Sequence, residues 1–377
     1  MSTELLPVTV AGFGKQSLST YSKTEIPSGS SLMVEADRHM MYVTRFSTVL
    51  ADMAAPLTDA LESELFVPHI AEEIDQWDTS LYLSTGSSNP NLFSKVTVGD
   101  VSTTIELPPS QTLDLGSYLP TSPQIDSSWG TITASARDPF TNTHVLSGLE
   151  LFIHAGGDGA AMEVGQQLYP TLYIPHIPTE TDQFWTGFAL INPNEETSTA
   201  HVRLFNDQGA SAGTYDLVIP PHFKIKGLLG DLFPGSVGNA SWGIISTDQP
   251  ISGLEIYGTE KGGICGFALS GIQYTEATLP LLAVDTEHWT GVALTNAGTI
   301  DANVTMRLMA SDGTVRVQQT LVVAAGTRQA LLLTNLFPTT EVQPDDHIQI
   351  VSNQAISALE VAGDLTNSTL LAVPAMD

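Results

Sequence analysis

An all-β chain of tandem antiparallel sandwiches is what this sequence predicts, and three observations predict it. The first is a period: Ser147-Gly148-Leu149-Glu150 returns as Ser252-Gly253-Leu254-Glu255 and as Ser357-Ala358-Leu359-Glu360, a step of 105 residues each time. A fixed period of this size marks one folding unit used repeatedly. The second is a series of short apolar runs, several alternating with period two, each ended by Gly, Pro, Asn or Asp. The third is that no copy contains a helix of ordinary length. About seven strands per unit, with turn signals roughly every 8–12 residues, describe an Ig-like sandwich.

The middle copy shows the elements in order. Trp185 to Ile191 is an apolar run stopped at Asn192-Pro193-Asn194. His201 to Phe205 alternates and turns at Asn206-Asp207-Gln208-Gly209; Tyr215, Leu217 and Ile219 alternate with polar neighbours as a half-buried strand does. Pro220-Pro221 ends that strand, because proline cannot donate to a ladder. Phe223 to Leu229 follows, then a single helical turn at Gly230-Asp231-Leu232-Phe233-Pro234. Ser241 to Ser246, Ile251 to Tyr257 and Ile264 to Leu269 supply three more strands, the last two joined by a glycine-rich hairpin. The third copy repeats this plan with Leu336-Phe337-Pro338, and the first is looser, with Tyr118-Leu119-Pro120 at that place.

The remainder reads as half a unit. Counting 105 residues back from Ser147 lands on Tyr42, in the apolar strand Met41-Tyr42-Val43-Thr44-Arg45-Phe46. Ile26-Pro27-Ser28 stands where Ile219-Pro220-Pro221 stands, and Phe66-Val67-Pro68-His69-Ile70 matches Tyr173-Ile174-Pro175-His176-Ile177 at the next junction. The expected organisation is an incomplete unit over 1–65, then sandwiches over 66–171, 172–278 and 279–377. A half sandwich leaves an open edge that needs a partner. Its own neighbour closes it, or a strand of another chain does so by β-augmentation. The chain end, Thr369 to Pro374, resembles the strand that opens a unit. Head-to-tail exchange between Tyr42, Val43 and Phe46 at one end and Leu370, Leu371 and Val373 at the other would build a filament.

Charge narrows the partners. With 41 acidic and 13 basic residues the formal net charge is −28, which repels nucleic acid and anionic lipid. Acidic loops suit Ca²⁺, the one cofactor considered, but spaced carboxylates that give solubility are the commoner arrangement. The single cysteine, Cys265 in an apolar run, excludes a disulfide framework and reads as a small buried hydrophobe. No window has the length of a membrane span, and no signal peptide is visible in this numbering.

Trp185-Thr186-Gly187-Phe188-Ala189-Leu190-Ile191-Asn192-Pro193, Asp231-Leu232-Phe233-Pro234 and Gln249-Pro250-Ile251-Ser252-Gly253-Leu254 resemble the β-sandwich repeats of large secreted and surface proteins of environmental bacteria. The resemblance covers roughly residues 66–377. It implies an extracellular or cell-surface, non-enzymatic module and carries over no functional residue.

Three residue sets invite chemistry. Glu150, Glu255 and Glu360 recur at one place; alternation turns each away from its leucine neighbours, which reads as a solvated strand face. Trp77, Trp185 and Trp289 each open a unit and serve as core anchors, or as glycan-stacking platforms on a surface. His69 and His176 recur at the Pro-His-Ile junction, where the third copy has Leu281, and junction packing suits them better than metal binding. No nucleophile elbow, phosphate loop or EF-hand loop is present. The expected function is therefore a structural or adhesive repeat protein that self-associates, with a carbohydrate-binding array as the alternative.

Overall fold

The computed structural model describes residues 42–47, 52–57, 61–71, 77–85, 92–99, 101–106, 110–119, 128–136, 141–143, 145–155, 159–165, 167–343 and 345–377. Ile26-Pro27-Ser28, Met41, Pro120 and Gly156-Gly157-Asp158 lie outside the described residues. The described chain is all-β, and every sheet pairing is antiparallel. β1 (Tyr42–Ser47) and β2 (Asp52–Leu57) form a hairpin with Tyr42 opposite Leu57 and Phe46 opposite Met53.

The first full copy contains β3 (Glu64–Val67), β4 (Trp77–Ser84), β5 (Leu92–Val98), β6 (Val101–Glu106), β7 (Ser110–Asp114), β8 (Gly130–Ala136), β9 (Ser147–His154) and β10 (Gly159–Glu163). It makes two four-stranded sheets, ordered β3-β8-β5-β6 and β10-β9-β4-β7. The second contains β11 (Tyr169–Ile174), β12 (Phe184–Asn192), β13 (Ser198–Phe205), β14 (Ser211–Ile219), β15 (Phe223–Leu228), the turn α1 (Leu229–Leu232), β16 (Trp242–Thr259) and β17 (Ile264–Ala268). The third repeats it as β18 (Tyr274–Leu279), β19 (His288–Asn296), β20 (Ala302–Met309), β21 (Val315–Val323), β22 (Thr327–Leu332), α2 (Leu333–Leu336), β23 (His347–Asp364) and β24 (Leu370–Pro374).

One correction concerns the two strands expected at Ser241 to Ser246 and Ile251 to Tyr257, which are a single 18-residue strand, β16. Its first half pairs with β11 and β13, and its second half with β12 and β17. Gln249-Pro250 sits where the strand passes from one sheet to the other, the place in a ladder where a missing N–H costs least. β23 does the same in the third copy, while the first copy divides the task between β8 and β9.

Alternation fills the cores as the sequence implies. Ala200, Val202 and Leu204 of β13 are buried while His201 and Arg203 face outward. The Leu-Phe-Pro turn is held by the Phe233 N–H donating to Leu229 O at 2.9 Å, and by Phe337 N–H to Leu333 O at 2.8 Å. All four of these side chains are buried. The asparagines that end these strands also have a cause. Buried Asn192 donates from Nδ2 to Glu196 O (2.7 Å) and Ile219 O (2.9 Å), and Asn296 to Ile300 O (2.8 Å) and Val323 O (3.0 Å).

The last strands of the four hairpins gather together. β2 lies beside β10 and β24, and β17 also lies beside both, so the four close a ring. Small residues permit the approach: a Cβ at Gly266 on β17 would fall 2.6 Å from Met162 Cε on β10. The chain end is therefore not a strand that opens a unit. β24 pairs with β23 and closes the third copy, with Leu359 opposite Pro374 and Gly363 opposite Leu370. Among the described residues, no helix is long and apolar enough to cross a membrane.

Candidate functional site at the unit junctions

Glu150, Glu255 and Glu360 are fully buried, each at 0% exposure. The solvated reading is overturned. Alternation does turn them from their own leucines, but the outer face of each hairpin is covered as well. Burying a carboxyl is expensive unless something compensates it.

At the first junction the compensating charge comes from the second copy. Lys224 on β15 is 1% exposed. Its Nζ donates to Ser128 O at 2.7 Å and to Ser128 Oγ, and lies 3.1 Å from His69 Nδ1. Burial, with Lys224 and Lys226 nearby, holds His69 well below its usual range, so its Nδ1 is free to accept. Burial pushes the Glu150 carboxyl well up, and the Lys224 charge opposes that.

The second junction repeats the pattern with an arginine. Arg328 on β22 donates to Ile177 O (3.0 Å), Ser241 O (2.8 Å) and His176 Nδ1, and its Nε donates to Asp207 Oδ1 (2.8 Å). His176 is held well below its ordinary value by burial and by Arg328. Its backbone carbonyl accepts from Tyr257 Oη at 2.6 Å. Glu255 is pushed well up by burial, with Arg328 pulling it back. The third copy differs: Leu281 replaces the histidine, and its N–H donates to Glu360 Oε2 at 2.9 Å.

The residues expected at an exchangeable edge are placed otherwise. Tyr42, Val43 and Phe46 lie on β1, paired with β2. Leu370, Leu371 and Val373 are buried in β24. It is β2 that lies against β24.

The tryptophans are not one set. Trp77 stands opposite His154, whereas Trp185 and Trp289 stand opposite Gly258 and Gly363. By register Trp77 matches Phe184 and His288, and a one-residue offset on a strand reverses the face. Trp77 lies 4.9 Å from the His154 ring. Trp185 covers Gly258, where an added Cβ would meet its Cζ2 at 2.0 Å, and Trp289 donates from Nε1 to Asp364 O at 3.0 Å.

Two further titratable groups lie along the ring strands. Glu163, at the end of β10, has Oε1 enclosed without a hydrogen-bond partner, and burial pushes its carboxyl up to about 7. The buried Cys265 thiol on β17 is also pushed up, by burial and then by Glu255. Among the described residues, no group of three or more His, Cys, Asp or Glu converges to hold a metal ion. Sequence reasoning missed Lys224 and Arg328, although they are two of only 13 basic residues and recur at the same register opposite Ile191 and Thr295.

No protein-family model matches the chain, and no curated protein matches it significantly. Among solved structures, a calcium-binding mutant of Bacteroides uniformis beta-glucuronidase 2 is similar at 9% identity over 79% of this chain, with a TM-score of 0.14. The chain spans only 32% of that glucuronidase's length. The infectious bursal disease virus Gx strain structure is similar at 11% identity, over 81% of this chain and 73% of that one, with a TM-score of 0.14.

Proposed function

We propose that this chain is a non-enzymatic structural or adhesive repeat protein of the cell exterior. Its units are tandem Ig-like sandwiches preceded by an incomplete one, and their four hairpins close within a single chain. The observation that carries the reading is β2 lying beside both β10 and β24. A strand already enclosed by its own chain has no need of a partner's. The repeated polar groups point the same way: carboxyls and cations sit buried between units, where a substrate does not reach, and they join one unit to the next. An exterior location is supported by the likeness of the repeats to bacterial surface proteins and by the scarcity of charged residues, 14% of the chain.

Light scattering and negative-stain images at high concentration test this reading. Monomers of constant mass support closure within the chain. Filaments or concentration-dependent growth would reject it in favour of head-to-tail complementation through the edges at β1 and β24. A glycan array, with tryptophan fluorescence as the readout, would detect the carbohydrate-binding alternative.

A further inference from the structure

The buried junctions differ from one another in an ordered way. On the hairpins of the three full copies, counting by the 105-residue period, one place carries Glu150, Glu255 and Glu360 in turn. A second place is set by register on the following unit. Lys224 pairs opposite Ile191, Arg328 opposite Thr295, and in the first copy Ser110 opposite Ser84. These rows correspond because Thr79, Thr186 and Thr290 are the same buried threonine, with the first and third accepting from Ala71 N–H and Ala283 N–H at 2.7 and 2.8 Å.

Read as pairs, the two places are complementary. Where the hairpin carries Glu150 the next unit supplies Lys224, and where it carries Glu255 the next supplies Arg328. Glu360 is followed by no further described unit, and its Oε2 is taken by the Leu281 N–H. The rest of that third socket is changed to match. Leu281 stands for His69 and His176, and Asp346 stands for Ser128 and Ser241. Asp346 is 2% exposed and engaged within its own copy by Arg316 and by the Gln343 N–H at 2.8 Å.

We propose that the His–Ser–Glu cluster of the first and second units is a recognition socket for one basic side chain presented by the following unit, and that the third unit's socket is filled by groups of its own copy. The partner is a Lys or Arg on the strand that follows the double-proline or Gly-turn of the next copy. Its cationic group meets two backbone or hydroxyl oxygens and a neutral imidazole while lying in the field of a buried carboxyl. Such a device selects neighbours, because a unit with a neutral residue at that place leaves the glutamate uncompensated. The inference goes beyond the structural reading above and holds whatever the chain adheres to.

A double-mutant cycle at the second junction tests it. The variants are Glu255→Gln and Arg328→Ser, made singly and together. Each alone should lower the unfolding midpoint, and the double variant should unfold at least tenfold less readily than the product of the two single effects, a coupling of about 1.4 kcal/mol. Purely multiplicative effects would overturn the proposal. If the single variants fail to fold, calorimetry of Arg328→Lys and Arg328→Gln decides. The lysine variant, carrying the residue that the first socket takes, should keep a single transition. The glutamine variant should release the third unit as a separate one. Equal splitting by both would show that the socket does not select a cation.

Discussion

Replacing Glu163 by glutamine should stabilise the protein, and only above about pH 4.5. Glu163 ends β10, with Oε1 enclosed and unpartnered, and burial raises its carboxyl from 4.5 to about 7. That rise corresponds to about 3 kcal/mol of differential stability at most, less to the extent that the side chain reaches solvent. The sign follows from proton binding. The folded state holds the proton more tightly than the unfolded state. The group therefore costs nothing well below pH 4.5; the cost grows between pH 4.5 and about 7 and is fully present above that. Glu163→Gln keeps the shape and removes the charge. Urea unfolding of both proteins should give equal free energies near pH 4.5 and a gain of roughly 2–3 kcal/mol for the variant at pH 8. Comparing the two proteins at each pH cancels the titration of every other group, including His69 and His176. A pH-independent difference, or a variant less stable at pH 8, would refute the assignment of a desolvated carboxyl.

Other expectations follow from single contacts. Asn192→Ala strips its Nδ2 donor from Glu196 O, Ile219 O and Pro220 O and should cost roughly 2–4 kcal/mol in denaturant unfolding, because it leaves buried carbonyls unpaired. Gly258→Ala puts a Cβ into the Trp185 ring. The ring should swing outward, seen as a red shift in tryptophan emission with a loss of about 1–2 kcal/mol. Cys265 is 3% exposed with its thiol held protonated, so a thiol reagent should label it only at the rate of unfolding. Rapid labelling of the native protein would contradict its burial.

Much of the architecture was legible because it is written locally. Strand alternation, the Asn-Pro ends and the Leu-Phe-Pro turn depend on neighbours a few residues apart. What was not legible depends on contacts between copies. The glutamates read as solvated because alternation reports which face a side chain takes, not what covers that face. Lys224 and Arg328 were missed for the same reason. Their spacing, on a chain with so few basic residues, was the signal that could have raised them. Trp77 shows the opposite limit: the shared residue type suggested equivalence, and a one-residue difference in register broke it. β24 was misplaced because an apolar strand at a chain end carries no mark of which strand it pairs with.

Closure of the ring within one chain is the central claim, and a distance measurement tests it directly. Cysteines introduced at Asp52 on β2 and at Ser368 beside β24 would carry a donor and an acceptor dye, with Cys265 too buried to compete. The account predicts high transfer efficiency in a doubly labelled chain, unchanged when a large excess of unlabelled chain is mixed in before refolding. Low transfer, or transfer that falls as unlabelled chain is added, would mean that β24 meets a different copy's hairpin and that the ring is not closed within one molecule.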